Sequence, residues 1–437
     1  MRQGSSATAN LDAVVMYIDM NSYFASCEQQ DNPHLRHKPM GIVTYDGPHS
    51  AVIAPSREAK TYGIKTGMRL SECRELCPQI IPVLGRPYRY REYHIMIMEV
   101  LNSYCDDVIA RSIDEASMNF TSYRLVYKDF VALAKQIKED IRKKCGDYIT
   151  CSIGIAPNSF LAKLGTELQK PNGLVRITPE NIDEQLSKLK LTDLPGIATR
   201  NERRLKMVGI NTPLQLRHTS EALLRKAFGG VVGNYWYKRL HFMEIDIYTS
   251  GYKNMSAGRT VSRQQRESKQ ALDSLLISLC TRLEQRMVKQ EVFCRSLHFR
   301  IKYRDHTRWE TTVKLAHPEQ DAIELRKYIL HDARAFEQSR NTDLFNNNVQ
   351  NMCVTIGSFV SDKMVQYTLF DNRIRQDVLR KAMYNIKDKY GRDKVRKASE
   401  TITPKVMRDA IGFGSVKDLY DPSKDDGKVN QYLLEEE

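Results

Sequence analysis

Near the start of the chain a short apolar run ends on a carboxylate. Ala13 to Ile18 reads AVVMYI, and Asp19 follows at once. A short run of β-branched and aromatic residues predicts a buried strand. An acid at the end of such a strand is costly unless something compensates its charge. Any fold for this chain must therefore bring a counter-charge to that strand end. Asp107 to Phe120 predicts two further short strands, interrupted by the polar step Asp114-Glu115. A divalent cation is the natural compensator for three such acids. Mg²⁺ takes one or two carboxylates and completes its shell with phosphate oxygens and water. Two such ions, roughly 4 Å apart, stabilise both the attacking and the leaving oxygen of an in-line phosphoryl displacement. Taken singly, each acid reads more readily as a surface turn residue or a helix cap.

The rest of the chain divides by pattern. Its 437 residues exceed what one core can hold, at roughly 100–200 residues per domain. Strands alternate with helices up to about residue 178. Helical stretches run over Tyr23–Gln30, Glu92–Cys105, Phe130–Lys144 and Ser159–Gln169, the last stopped by Pro171-Asn172-Gly173. This part is α/β or α+β. Residues 180–245 read as short helices with Gly turns, and 247–256 as a polar linker. From Ala257 the order is strand, helix (Lys269–Lys289), strand (Arg295–Tyr303), strand (Arg308–Leu315), helix (Pro318–Phe336), strand (Met352–Val360). That is β-α-β-β-α-β. A basic helical stretch, Arg375–Lys397, leads to a polar acidic end.

Charge narrows the partners. The formal charge is +14, which suits a polyanion, nucleic acid before an acidic membrane surface. Between residues 253 and 310 stand 13 Lys/Arg against 6 Asp/Glu, so half of the surplus falls on this segment. No apolar run is long enough to span a membrane, and Met1 to Asn10 lack the apolar region of a secretory signal. The nine cysteines are scattered without a CxxC pair, which predicts reduced thiols and a cytoplasmic protein.

The residues around the acids form longer motifs. Tyr17-Ile18-Asp19-Met20-Asn21-Ser22-Tyr23-Phe24-Ala25-Ser26-Cys27-Glu28 resembles the opening motif of the Y-family (translesion) DNA polymerases, bacterial UmuC/DinB-like. Ser112-Ile113-Asp114-Glu115-Ala116 resembles the family's second motif. Ile153-Gly154-Ile155-Ala156, with Ala162-Lys163-Leu164 and Lys170-Pro171-Asn172-Gly173, is similar to the end of its palm. Leu194-Pro195-Gly196-Ile197, with Leu205 and Gly209-Ile210, is similar to its helix-hairpin-helix. The four blocks stand in family order, over about residues 13–360. Asp-x-Asn and Ala-Ser-Cys-Glu stand closer to the UmuC-like branch.

The resemblance implies a right-hand polymerase. Its palm would take residues 11–22 and 88–178, its fingers 23–87, and a helical thumb 179–246. A linker at 247–256 would lead to a little finger at 257–361 and a tail at 362–437. It also implies two Mg²⁺ ions, held by Asp19, Asp114, Glu115 and the Met20 carbonyl, with the three acids as catalytic residues. Tyr23, Phe24, Arg57, Lys60 and Lys163 would meet the incoming deoxynucleotide, with Phe24 as the ring that excludes a ribose 2′-hydroxyl. Many relatives have Asp at the position of Asn21, Tyr at Arg57 and Gly at Ala198. The family pattern thus leaves the role of Arg57 open.

Primer-template DNA would be gripped by Gly196 and Ile197 at a helix start, where backbone N–H groups meet phosphate. The little finger would add Arg259, Arg263, Arg295, Arg300, Lys302 and Arg304. The alternation of Arg300, Lys302 and Arg304 predicts one shared sheet face. Gln366-Tyr367-Thr368-Leu369-Phe370 resembles the peptide that binds the bacterial sliding clamp, with Gln366, Leu369 and Phe370 as anchors. The resemblance implies a low-fidelity, monomeric, nucleoid-associated bacterial enzyme of DNA repair and the SOS response to DNA damage, with no membrane partner. Two rival readings stand beside it. One is a catalytically silent DNA- and clamp-binding accessory on the same fold. The other is a nucleotidyl cyclase with a similar palm, which predicts neither the helix-hairpin-helix nor the basic C-terminal domain.

Overall fold

The structure is a computed structural model that describes residues 9–45, 47–246, 252–366, 373–390, 394, 395, 416 and 419. It comprises two compact units, one up to residue 246 and the other over 252–390. Among the described residues no helix is long and apolar enough to cross a membrane. All nine cysteines are free.

The first unit is built on a five-stranded sheet in the order Val108–Ala110, Glu115–Asn119, Val15–Met20, Cys151–Ala156, Leu174–Arg176. The first four strands pair antiparallel, and the last joins in parallel. The strand Val15–Met20 lies at the centre and is buried along its whole length, as its near-continuous apolar sequence requires. The helix Ser159–Leu168 packs on this sheet unusually closely. A Cβ on Gly154 would stand 1.9 Å from the Ala162 carbonyl oxygen, and one on Gly165 would stand 3.0 Å from the Gly154 Cα. Only glycine permits that approach, which brings Lys163 of the helix to the carboxylate end of the sheet.

A smaller sheet, Val52–Pro55, Met40–Val43, Ile81–Leu84, carries the helices Arg57–Thr61 and Leu70–Leu76 over its own core, which includes Val52, Leu70 and Cys73. The helices from Ile182 to Leu240 share one hydrophobic core with Val15, Tyr17 and Phe160 of the large sheet and its helix. The helical segment is thus fused to the sheet rather than hung from it.

The second unit has the β-α-β-β-α-β order expected from sequence. Its antiparallel sheet runs Arg308–Glu319, Val292–Tyr303, Val349–Gly357, Asn254–Thr260. The helices Lys269–Lys289 and Ala322–Arg340 pack against it, and their core takes Leu276, Phe299, Ile301 and Met352. Several boundaries differ from the sequence reading. The strand expected from Ala257 begins at Asn254, inside the presumed linker. The strand expected to stop at Leu315 runs on to Glu319, and the helix expected from Pro318 starts at Ala322 after the cap Asp321. Pro318 is tolerated in that strand because the strand lies at the sheet edge. The helix expected over Arg375–Lys397 spans Arg373–Tyr390. Its Arg380 is buried and lies 3.2 Å from Asp321, while Tyr384 donates to Glu284 at 3.0 Å. Helix and sheet unit are therefore joined by polar contacts.

Candidate active site

Register brings the acids together. Asp19 stands directly across from Glu115 on the neighbouring strand, and the Met20 N–H donates to the Asp114 carbonyl at 2.9 Å. Asp19 is only 6 % exposed. Lys163 contacts Asp19 and donates to Glu115 at 2.7 Å, and Lys170 reaches the other Asp19 oxygen at 2.9 Å. Glu167, one helical turn beyond Lys163, lies 3.0 Å from Lys163 and 2.9 Å from Lys170. The Tyr17 hydroxyl donates to the second Glu115 oxygen at 2.8 Å, and the Ser112 hydroxyl donates to Asp114 at 2.5 Å.

These contacts set the charge states. Burial pushes the Asp114 carboxyl up, and the neighbouring Glu115 and Asp19 charges push in the same direction. Burial also opposes ionisation of Glu115, but Lys163 and the Tyr17 hydroxyl outweigh it and hold that carboxyl below its ordinary value. Burial disfavours the Lys163 charge, yet Asp19 and Glu115 raise its affinity for the proton. Among the described residues no three His, Cys, Asp or Glu side chains form a preformed metal cage. Asp19 and Glu115 instead turn oxygens toward lysines. As donors, Asp19, Asp114, Glu115 and the Met20 carbonyl are all hard oxygens. That set fits Mg²⁺ and suits neither a thiolate nor an imidazole metal.

Asn21, where many relatives have Asp, is also accounted for. Its amide nitrogen donates to Ser152 at 3.0 Å, while its oxygen accepts the Asn172 N–H at 2.7 Å. The Asn21 oxygen thereby clips the Lys170-Pro171-Asn172 turn to the sheet, and its nitrogen ties the same side chain to Ser152.

The expected nucleotide-site residues fall into two groups. Arg57 and Lys60 lie on the short helix Arg57–Thr61, capped by Ser56, and Arg57 bonds Thr150. Lys60 stands near enough to Lys170, Asp19 and Glu167 to feel their charges, and partial burial with Lys170 lowers its proton affinity. Tyr23 and Phe24 open the helix Tyr23–Asp31 and are both buried. The Phe24 ring stacks on Tyr90, with centroids 4.5 Å apart and planes 18° from parallel. A cleft of about 670 Å³ runs beside Lys163 and Glu167 to Leu194, Gly196, Ile197 and Ala198.

The expected DNA contacts divide differently. Gly196 adopts φ 95°, a left-handed turn that favours glycine. The Ile197 N–H, expected to meet phosphate, donates instead to the Leu194 carbonyl at 3.0 Å, and its side chain is buried. The helix that follows, Thr199–Met207, begins after Ala198, which supplies no side-chain cap. In the second unit Arg300 and Lys302 are exposed and alternate with buried Phe299, Ile301 and Tyr303. Arg304 lies past the strand end, in the turn. Arg259 is opposite Met352, a core residue, so it stands on the helix-bearing face rather than with Arg300. Arg263 opens the short helix Arg263–Arg266, and Arg295 is exposed at an irregularity of its strand. Gln366 is exposed, while Leu369 and Phe370 lie outside the described residues.

Tyr17, Glu167 and Lys170 carry no expected role from sequence. Lys170 does stand in the Lys-Pro-Asn-Gly turn motif, and the i, i+4 spacing of Lys163 and Glu167 is a usable signal.

Comparison with known proteins decides the family. The impB/mucB/samB family matches residues 18–167, and that family's C-terminal domain matches residues 252–369. The chain belongs to the Y-family of translesion DNA polymerases. A relative named DNA polymerase IV, from Streptococcus pneumoniae, is 28 % identical over 330 residues, covering 74 % of this chain and 91 % of its own. Another of that name, from Bacteroides fragilis, is 34 % identical over 217 residues, covering 50 % of this chain. That match spans 59 % of the Bacteroides protein's length. A solved Y-family polymerase chimera of Dbh and Dpo4 shares the fold, with TM-score 0.68 and 24 % identity over 80 % of this chain and 99 % of the chimera. An insertion ternary complex of Dbh DNA polymerase aligns over the same shares at TM-score 0.56 and 24 % identity.

Proposed function

We propose that this member of the Y-family is a template-directed DNA polymerase of low fidelity, inserting deoxynucleotides opposite damaged template bases by two-metal-ion nucleotidyl transfer. The observation that carries the reading is the meeting of Asp19 and Glu115 with Lys163 and Lys170 at one sheet end, with Asp114 beside them. Asp19, Asp114, Glu115 and the Met20 carbonyl would hold two Mg²⁺ ions. When bound, such ions lower the cost of charge on the attacking and leaving oxygens. Tyr17 and Ser112 hold the Glu115 and Asp114 carboxylates in place. Lys163 and Lys170 would face the triphosphate with Lys60 and Arg57. Cations fixed there stabilise charge on the departing pyrophosphate. Phe24 is read as the ring that excludes ribonucleotides.

The domain reading follows the same lines. It places the palm at 11–22 and 88–178, the fingers at 23–87, the thumb at 179–246 and the little finger at 257–361, with the little finger's first strand reaching back to Asn254. The Leu369-Phe370 motif is read as a tether to a sliding clamp, tested by the processivity of a double Ala variant on clamp-loaded DNA. The function itself is tested by single-nucleotide insertion with Mg²⁺ opposite an abasic site and opposite an intact base. Insertion opposite both is expected. Binding of primer-template without insertion opposite either would leave the silent accessory as the reading.

A further inference from the structure

The Phe24 ring is held by a neighbour to which the proposed reaction gives no chemistry of its own. Phe24 and Glu28 stand four residues apart on the helix Tyr23–Asp31, so they share a face one turn apart. Tyr90, from the helix Pro87–Asn102, meets both at once. Its ring stacks on Phe24, and its hydroxyl donates to Glu28 at 2.8 Å. Its backbone carbonyl accepts the Tyr23 hydroxyl at 2.6 Å. Tyr90 is 1 % exposed and Glu28 3 % exposed, so neither contact is exchanged with water. Arg86 grips Glu28 through Nε, at 3.1 and 3.0 Å, and through Nη2, at 2.7 Å. The Tyr90 ring is thus held at its hydroxyl by the Arg86-gripped Glu28, its backbone is tied to Tyr23, and Phe24 lies flat against the ring.

We propose that Tyr90, anchored by Glu28 and Arg86, is a positioning residue that sets the sugar selectivity of the enzyme by backing the Phe24 ring. The inference rests on the reading of Phe24 as the sugar gate. Excluding one hydroxyl demands a wall that does not yield by a fraction of an ångström. A phenylalanine ring alone turns about two bonds. One stacked on a clamped tyrosine does not turn freely. Loosening the backing should therefore admit ribonucleotides while leaving deoxynucleotides, which need no extra room, nearly as well used.

The experiment measures kcat and KM for a ribonucleotide and the matching deoxynucleotide, with a melting curve for every variant. Phe24→Ala tests the gate itself and should raise the ribo-to-deoxy ratio of kcat/KM about a hundredfold. Tyr90→Leu removes the stack and should raise that ratio about tenfold, chiefly through a lower ribonucleotide KM. Tyr90→Phe keeps the ring, frees it from Glu28 and should raise the ratio a few-fold. A purely structural role would slow both substrates together and leave the ratio unmoved. A changed ratio in Phe24→Ala with unchanged ratios in both Tyr90 variants overturns the proposal alone. Unchanged ratios in all three overturn the gate reading and the proposal with it. If Tyr90→Leu does not fold, Tyr90→Phe decides: an unchanged ratio there, beside a changed one in Phe24→Ala, overturns the anchored backing.

Discussion

Two sheet surfaces in this protein handle charge in opposite ways. At the end of the large sheet of the first unit, Asp19 is buried and its oxygens are taken by Lys163 and Lys170. On the open face of the second unit's sheet, Arg300 and Lys302 are exposed, with the core residues on the other side. A buried charge must be compensated by named partners at fixed distances. An exposed charge is solvated, and each contributes a small, similar amount to attraction. The first arrangement suits chemistry, where one atom's position decides the rate. The second suits a grip on phosphate that is indifferent to sequence.

The largest expected effect is therefore on the buried side. Asp114→Ala, or Glu115→Ala, should lower single-nucleotide insertion on the order of a thousandfold or more while DNA affinity stays within about twofold. Gel-shift and insertion assays on the same preparation check this. Insertion within tenfold of the parent at saturating Mg²⁺ would mean the buried acids are structural, and the contrast between the surfaces would collapse.

An intermediate effect is expected where packing creates the buried site. Gly154→Ala sets a Cβ 1.9 Å from the Ala162 carbonyl oxygen. The helix Ser159–Leu168 must then lift and carry Lys163 away from the acids. Overpacking of this kind costs about 1–3 kcal/mol. A lower Tm and slower insertion should appear together, with the salt dependence of DNA binding unchanged. A stable variant of normal activity would show that the close approach does not place Lys163.

The two surfaces are unequally legible in the sequence. The β-α-β-β-α-β order and the shared face of Arg300 and Lys302 can be read because period-2 alternation is a local signal. Pro318 misleads for an equally local reason: it resembles a helix start, and only the strand's place at the sheet edge makes it tolerable there. The face of Arg259 is illegible because its strand, Asn254–Thr260, carries small residues on both sides. At the buried site the three acids can be read from the motifs that hold them. Tyr17 and Tyr90 cannot be assigned roles, because these come from contacts between residues far apart in sequence. The Ile197 N–H is misjudged because a turn consumes it, and sequence does not say which donors a turn will use.

The smallest effects should come from the exposed face, where register makes a finer distinction. Arg300 lies directly across from Glu310, an opposite charge, whereas Lys302 lies directly across from Arg308. Like charges facing each other on neighbouring strands are destabilising, by about 0.2–1 kcal/mol. Arg308 also lies 3.8 Å from Glu310, a longer contact that offsets the repulsion only in part. A phosphate backbone laid on this face would relieve it. Lys302→Ala should thus leave the free protein equally or slightly more stable, yet weaken DNA binding. Removing one cation from a phosphate should flatten the slope of log K against log salt by about 0.9. Arg300→Ala should flatten it similarly but without the gain in stability, since it breaks a favourable pair. Arg259→Ala, on the opposite face, should leave the slope nearly unchanged. Duplex affinities measured across a salt series, with melting curves of the free variants, separate these cases. A slope altered as much by Arg259→Ala as by Lys302→Ala would show that DNA is gripped along the sheet edge rather than on its open face.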